Sequence, residues 1–203
     1  MKYLWLLDNG HGGIINGEYQ TSGKRSPLWD NGTQLFEGEF NRDIVRRIAK
    51  RLTELSIRFE ILVPEKQDVS LSSRVVRVNA YKGLKEVYPI LVSVHGNAGG
   101  GTGFEIWTSK GQTKSDKIAT VFHSNATKEF PEKIMRSDFS DGDPDKESQF
   151  YILKKTFCPA ILTENFFMDT YVDCQFMLSE EGRRRIAQFH VDAIWEIERN
   201  DLI

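Results

Sequence analysis

PILVSVHGNAGGG, residues 89–101, is a nearly unbroken run of Val, Ile and Leu from Ile90 to Val94 that stops at a histidine and a glycine-rich turn. A short apolar run opened by proline and closed by turn residues suits a central strand covered on both faces, as in a parallel sheet. Two other segments repeat the pattern. Tyr3–Leu7 is a buried-strand candidate that runs into DNGHGG, and PAILT (159–163) runs into Glu164. Weaker strand readings fall at Arg58–Val63, Phe104–Thr108 and Phe150–Lys154.

Helical periods alternate with these strands. Phe40, Ile44, Ile48, Leu52 and Leu55 recur at spacings of three and four, which predicts an amphipathic helix over Glu39–Leu55. Leu71–Tyr81 and Ile118–Phe130 read as helices. So does a segment opened by Ser179 with Glu180 and Glu181 in its first turn and continued from Arg183 to Ile194. Strands alternating with helices predict an α/β fold of three layers, a largely parallel mixed sheet with helices on both faces. No linker or repeat divides the chain, so residues 1–203 are expected to form one domain.

Two stretches lie outside this alternation. Residues 14–36 carry Gly17, Gly23, Pro27 and Gly32 among many polar residues and read as a long loop, a feature usually tied to function in compact domains. Met135–Glu147, with Asp138, Asp141, Asp143 and Asp145, reads as an acidic surface loop.

The 203 residues are 39 % apolar and 28 % charged, the composition of a globular chain. The 27 basic and 29 acidic residues leave a formal net charge of -2, which provides no field for nucleic acid. No run approaches membrane-spanning length, and Tyr3–Leu7 is too short for a signal-peptide core. The expectation is synthesis in the cytoplasm without membrane insertion, and a monomer. Cys158 and Cys174 are expected to be buried thiols.

In parallel sheets, functional groups gather beyond the carboxyl ends of the strands. His11, His95 and Glu164 sit at such ends. Two imidazoles and one carboxylate would hold zinc with a position left open for water. Glu37 or Glu39 can supply that carboxylate, and Glu18 stays open as well. Glu164, next to Phe166 and Phe167, suits a partly desolvated acid–base group. Asp8 is placed to orient a histidine ring or a turn, and Asn97 to bind a peptide amide or simply to form a turn. Trp29, Trp107 and Phe166 are either substrate-facing or packing residues. His123 and His190 read as helix-surface histidines, and Arg183–Arg185 as a solvated helix face.

Taken in order, the segments resemble the zinc-dependent N-acetylmuramoyl-L-alanine amidases of bacterial cell separation and phage lysis. LLDNGHGG is similar to that family's first histidine motif, FEGEFNRDIV to its glutamate-bearing helix start, and ILVSVHGNA to its second histidine motif. SLSSRVVRVN, GFEIW, AILTENFFMD and the EEGRRRIA helix start also fit, so the likeness runs from about residue 4 to residue 196. The resemblance implies one zinc ion on His11, Glu37 and His95. It prefers Glu37 to Glu39 because the family glutamate stands four residues before an asparagine, here Asn41.

The same resemblance implies Glu164 as catalytic acid/base, Arg74 and Asn79 as structural residues, and peptidoglycan as substrate. The scissile bond would join the lactyl group of N-acetylmuramic acid to L-alanine. Such an enzyme acts on the wall after release or export, as endolysins and prophage enzymes do. A zinc peptidase cutting peptidoglycan peptides and a non-catalytic wall-binding module of the same fold are the alternatives. Asn9 stands where many members have proline, and the 14–36 and 138–147 loops depart from the pattern. These differences bear on specificity more than on catalysis.

Overall fold

The computed structural model describes residues 2–200. Six strands form one sheet: β1 (Tyr3–Asn9), β4 (Phe59–Ile61), β5 (Tyr88–Asn97), β6 (Phe104–Ser109), β7 (Lys146–Ser148) and β8 (Ala160–Phe167). Their order is β4-β1-β5-β8-β6-β7. The pairs β1–β4, β1–β5, β5–β8 and β6–β7 are parallel, and only β6–β8 is antiparallel. A small hairpin, β2 (Ile14–Ile15) with β3 (Glu18–Tyr19), stands outside the sheet at the head of the long loop.

Side-chain alternation along the central strands builds a core on each face. Trp5, Leu7, Ile90, Val92, Val94 and Ile161 face the larger core. It is completed by α1 (Glu37–Glu54), α3 (Lys114–Glu129), α5 (Tyr171–Leu178) and α6 (Glu180–Asn200). Leu6, Leu91 and Leu162 face the smaller core with α2 (Leu71–Asn79) and α4 (Tyr151–Lys155). The fold is therefore the three-layer α/β arrangement expected.

Helix α1 leads from β1 outward to β4. Helix α2 then crosses the opposite face and delivers the chain to β5, on the other side of β1. The winding direction reverses between β1 and β5, which makes the carboxyl ends of those two strands the natural crevice of the fold.

Several local expectations change. Phe150–Lys154 is not a strand: Tyr151–Lys155 is the short helix α4. Ile152 and Leu153 are consecutive and both enter the smaller core, which a helical turn allows and strand alternation forbids. Helix α1 begins two residues before Glu39. Helix α3 begins at Lys114, where Thr113 and Asp116 form a reciprocal capping box that the apolar period did not reveal. Helix α5 had no counterpart in the sequence reading, since its apolar residues have almost no one-sided pattern. The acidic stretch does not stay at the surface: Asp145 is buried and Lys146–Ser148 pairs with β6. Cys158 and Cys174 are buried, unpaired thiols.

His190 is a correction of a different kind. It is not on the surface of α6 but fully enclosed between that helix and the sheet. Its ring Nδ1 lies 2.7 Å from the Ile186 carbonyl, and Nε2 lies 3.0 Å from the Thr163 hydroxyl. A neutral ring satisfies both, with Nδ1–H donating and Nε2 accepting. Burial pushes its pKa down to about 4, against an ordinary value of 6.5. The unfolded chain therefore takes up this proton first as pH falls. Stability is lost between pH 6.5 and 4, by about 3 kcal/mol for this group. Urea unfolding is expected to show His190→Gln losing less stability across that range than the native sequence, by about 3 kcal/mol.

Candidate metal centre and active site

His11 lies just beyond β1 with φ 68, the left-handed region. A non-glycine residue there costs about 1–2 kcal/mol. The surroundings fix it: its carbonyl accepts from Arg42 Nη1 at 2.8 Å and from Arg74 Nη2 at 3.4 Å. The neighbouring glycines are required by close approach. A Cβ on Gly10 would sit 2.0 Å from His95 Cε1, and one on Gly38 would sit 1.9 Å from the Gly12 carbonyl oxygen. DNGHGG therefore lets His11, strained in its backbone, set its ring beside that of His95 on β5 while α1 packs directly on the loop.

Glu37, at the first position of α1, points into the gap between the histidines. Its Oε1 is 3.1 Å from His11 Nε2 and 3.1 Å from His95 Nδ1. The two imidazole rings stand nearly perpendicular with centroids 5.1 Å apart. Burial pushes the Glu37 pKa up, but hydrogen bonds from both histidines outweigh it and hold the carboxyl well below the usual range. The histidine side of the contact agrees: the His95 pKa is raised, because Glu37 overcomes the burial that would lower it. Glu37 Oε2 is buried without a partner. Two ring nitrogens and a carboxylate within 4.8 Å of one another, with a spare buried oxygen among them, make a donor set that can hold a metal ion.

Glu39 does not join them. Its Oε1 accepts from the Ile14 backbone N–H at 2.6 Å and anchors the hairpin. Glu18 is exposed on β3.

Glu164 enters from the neighbouring strand. It pairs in register with His95 across β5–β8 and with Glu105 across β8–β6. It is inside β8 rather than after it. The strand continues through a bulge, where Asn97 pairs with Phe167 after His95 has paired with Glu164. The extra residue turns Phe166 into the core at φ 69. Bulges re-aim side chains next to functional sites, and here Phe166 goes inward while Glu164 keeps its place beside His95. Burial, reinforced by the charges of Glu37 and Glu105 and offset by His95 and Lys24, pushes the Glu164 carboxyl up to about 7. Its Oε2 is enclosed and unpartnered.

The groups behind the site are held by ion pairs. Asp8 touches neither histidine ring. It accepts from Arg74 Nη1 and from the Ser93 hydroxyl at 2.6 Å, while Arg74 also donates to the Asn9 carbonyl. The pair is buried on both sides. Asp8→Ala would leave the buried guanidinium with only the exposed Asp68, 3.9 Å away, as counter-charge, which costs up to about 3–5 kcal/mol. Chemical denaturation is expected to show a loss of that size, and an unchanged midpoint would exclude the role. Asn41 Nδ2 donates to the Gly10 carbonyl at 3.0 Å and reaches Glu37 Oε1 at 3.5 Å. Asn165 Nδ2 donates to the His95 carbonyl at 2.9 Å. Asn79 braces the turn after α4 through Lys155 and Phe157.

A cleft of about 460 Å³ opens over His11, His95 and Glu164, with Phe150, Tyr151 and Ile152 on one wall and Lys24 on another. Lys24 belongs to the long loop, whose polar composition did not single it out. Glu105 was also missed. It is a buried acid in the apolar strand GFEIW, and it accepts from Arg136 at 2.6 Å and Lys146 at 2.8 Å.

Asn97 is occupied by Glu105 and by its own turn, so it is a structural residue here. Phe166 is core, Trp107 packs on Phe150, and Trp29 packs on Tyr171. His123 is half-buried and bonded to Ser137 at 2.6 Å. Arg183, Arg184 and Arg185 are ion-paired with Asp43, Glu181 and Glu129 rather than simply solvated.

Comparison with known proteins bears on this arrangement. A family model described as N-acetylmuramoyl-L-alanine amidase matches residues 6–196. The endolysin of Bacillus phage SPP1 is 29 % identical over 97 % of the chain and 66 % of its own length. The N-acetylmuramoyl-L-alanine amidase CwlM of Bacillus licheniformis is 31 % identical over 93 % of the chain and 66 % of its own length. The chain thus spans just under two thirds of these relatives. The crystal structure of N-acetylmuramoyl-L-alanine amidase from Clostridium difficile 630 shares the fold with a TM-score of 0.78 at 22 % identity, over 98 % of this chain and 97 % of that one.

Proposed function

The chain belongs to the N-acetylmuramoyl-L-alanine amidase family, and from that premise we propose that it hydrolyses the amide between the lactyl group of N-acetylmuramic acid and L-alanine in peptidoglycan, with zinc as its metal. The observation that carries the reading is the convergence of His11, Glu37 and His95 on one point, with Glu164 beside His95 on the next strand. Two imidazoles and a carboxylate are a donor set suited to zinc with a position left for solvent. Zinc held there supplies a Lewis acid for the scissile carbonyl and makes water a better nucleophile at neutral pH.

The side chains do the rest. Glu164, as the carboxylate, accepts a proton from the attacking water. As the acid, it returns that proton to the departing alanine nitrogen, so the carboxyl ends the cycle as it began. A pKa near neutrality suits both halves of this exchange. His11 and His95 are fixed through their backbone carbonyls, which Arg42 and Asn165 hold from behind. Lys24, on the rim of the cleft, places a positive charge where the carboxylates of a stem peptide would approach.

Chelator-treated protein is expected to release no new amino groups from purified peptidoglycan, and stoichiometric Zn²⁺ to restore the release. Full activity without metal would contradict the proposal.

A further inference from the structure

A second group of carboxylates lies away from the cleft. Asp116 stands in the first turn of α3. Asp143 and Asp145 come from the end of the acidic loop, just before the edge strand β7. One oxygen from each lies within 4.8 Å of the other two. Asp145 is 2 % exposed and Asp116 is 5 % exposed, so at least two of the three charges are out of solvent.

Each carboxylate has one oxygen tied to a neutral donor. Asp145 Oδ2 accepts from the Thr108 hydroxyl at 2.6 Å, Asp116 Oδ2 from the Thr113 backbone N–H, and Asp143 Oδ2 from the Gln112 amide at 3.3 Å. The other oxygen of each, Oδ1, is buried and meets no donor from outside the cluster. Among the described residues, no Lys or Arg forms an ion pair with any of the three; the nearby Lys146 is taken by Glu105.

Three converging carboxylates, two of them buried and none with a counter-charge, repel one another, and burial together with the neighbouring Asp143 pushes the Asp145 carboxyl up to about 8. The α3 N-terminus offers about half a positive charge, too little to balance them. Orphaned buried carboxylate oxygens cost far more than a neutral hydrogen-bonding group. One carboxylate oxygen from each of three residues, drawn to a common point, is what a hard cation requires.

We infer that Asp116, Asp143 and Asp145 form a second cation site, distinct from the His11–Glu37–His95 centre and suited to calcium. An all-oxygen donor set favours a hard divalent ion over zinc. Calcium's flexible coordination suits carboxylates carried on a helix start and a loop better than magnesium's near-ideal octahedron does. The ion would tie the acidic loop to β6 and to the first turn of α3, and would fix the edge strand β7, whose Lys146 reaches Glu105 beside Glu164.

The test is calorimetric titration of Ca²⁺ into the zinc-loaded protein, with a thermal melt at each concentration. The expected result is one calcium per chain. The melting temperature should rise by about 5–10 °C when calcium stands about a hundredfold above its dissociation constant. Asp145→Asn and Asp143→Asn are each expected to weaken binding about tenfold or more and to abolish the thermal response, with zinc content unchanged.

Asparagine keeps the shape of aspartate and removes a repelling charge, so Asp145→Asn is expected to melt no lower than the calcium-free native sequence. Asp143, which is only half-buried, provides the second variant should the first fold poorly. Absence of calcium binding up to about 10 mM, the weak end for calcium modules, overturns the proposal. Unchanged affinity in both variants does the same. A more stable Asp145→Asn variant combined with no calcium binding in the native chain would show that protons, not a metal, neutralise the cluster.

Discussion

Glu164→Gln is expected to reduce turnover on peptidoglycan by about 10²–10⁴-fold, the usual contribution of a positioned acid–base group. The amide keeps the size of the side chain and its place opposite His95, but it can neither take up nor return a proton. Zinc content is expected to stay the same, because Glu164 is outside the His11–Glu37–His95 set. The pH profile of the native enzyme provides a second reading.

Glu164 must be ionised to act as base, so the rate rises with pH through its pKa. Burial sets that pKa at about 7 in the metal-free protein, above an ordinary 4.5. A bound dication favours the charged form and draws the value back down. The acid limb of kcat/KM is therefore expected between pH 4.5 and 7. Unaltered turnover by the glutamine variant would remove Glu164 from the mechanism.

Glu37→Gln is the second large effect, and it falls on the metal. Loss of a residue that only supports a ligand weakens metal affinity about 10–100-fold. Loss of a charged ligand is expected to exceed that, leaving the protein largely zinc-free after dialysis. Glu39→Gln is the control, since its carboxylate serves the Ile14 backbone and not the histidines. Asn41→Ala, which removes a contact behind Glu37, is expected to fall between the two. Zinc retained by Glu37→Gln and lost by Glu39→Gln would reverse the ligand assignment.

The contrast between Glu37 and Glu39 shows where sequence reading stops. Two acids separated by one residue at a helix start have equal claim on the dipole, and periodicity cannot say which faces the strand ends. The resemblance preferred Glu37, and the geometry brings Glu37 to both histidines. The buried strands and the amphipathic α1 were legible because apolar runs and a repeat of three to four carry their own signal. His11, His95 and Glu164 were legible because each ends or interrupts such a run.

What stayed hidden depends on tertiary contact. α4 has five residues and no period to read. His190 is surrounded by the same mixture of polar and apolar neighbours as a surface histidine, and only the packing of α6 on Thr163 encloses it. Asp8, expected to orient a histidine ring or a turn, serves the turn, and does so through Arg74, 66 residues away in the chain, which donates to the Asn9 and His11 carbonyls. The acidic stretch looked solvated because charge runs usually are. Three-dimensional convergence with Asp116 is what buries Asp145.

The most direct test of the central claim is mass spectrometry of peptidoglycan digested by the zinc-loaded protein, with Glu164→Gln in parallel. The account predicts stem peptides with a free L-alanine N-terminus and intact glycan strands, absent from the variant digest. Cuts within the peptides would mark a peptidase instead. An undigested wall, despite a full complement of zinc, would contradict the catalytic claim and leave a binding module.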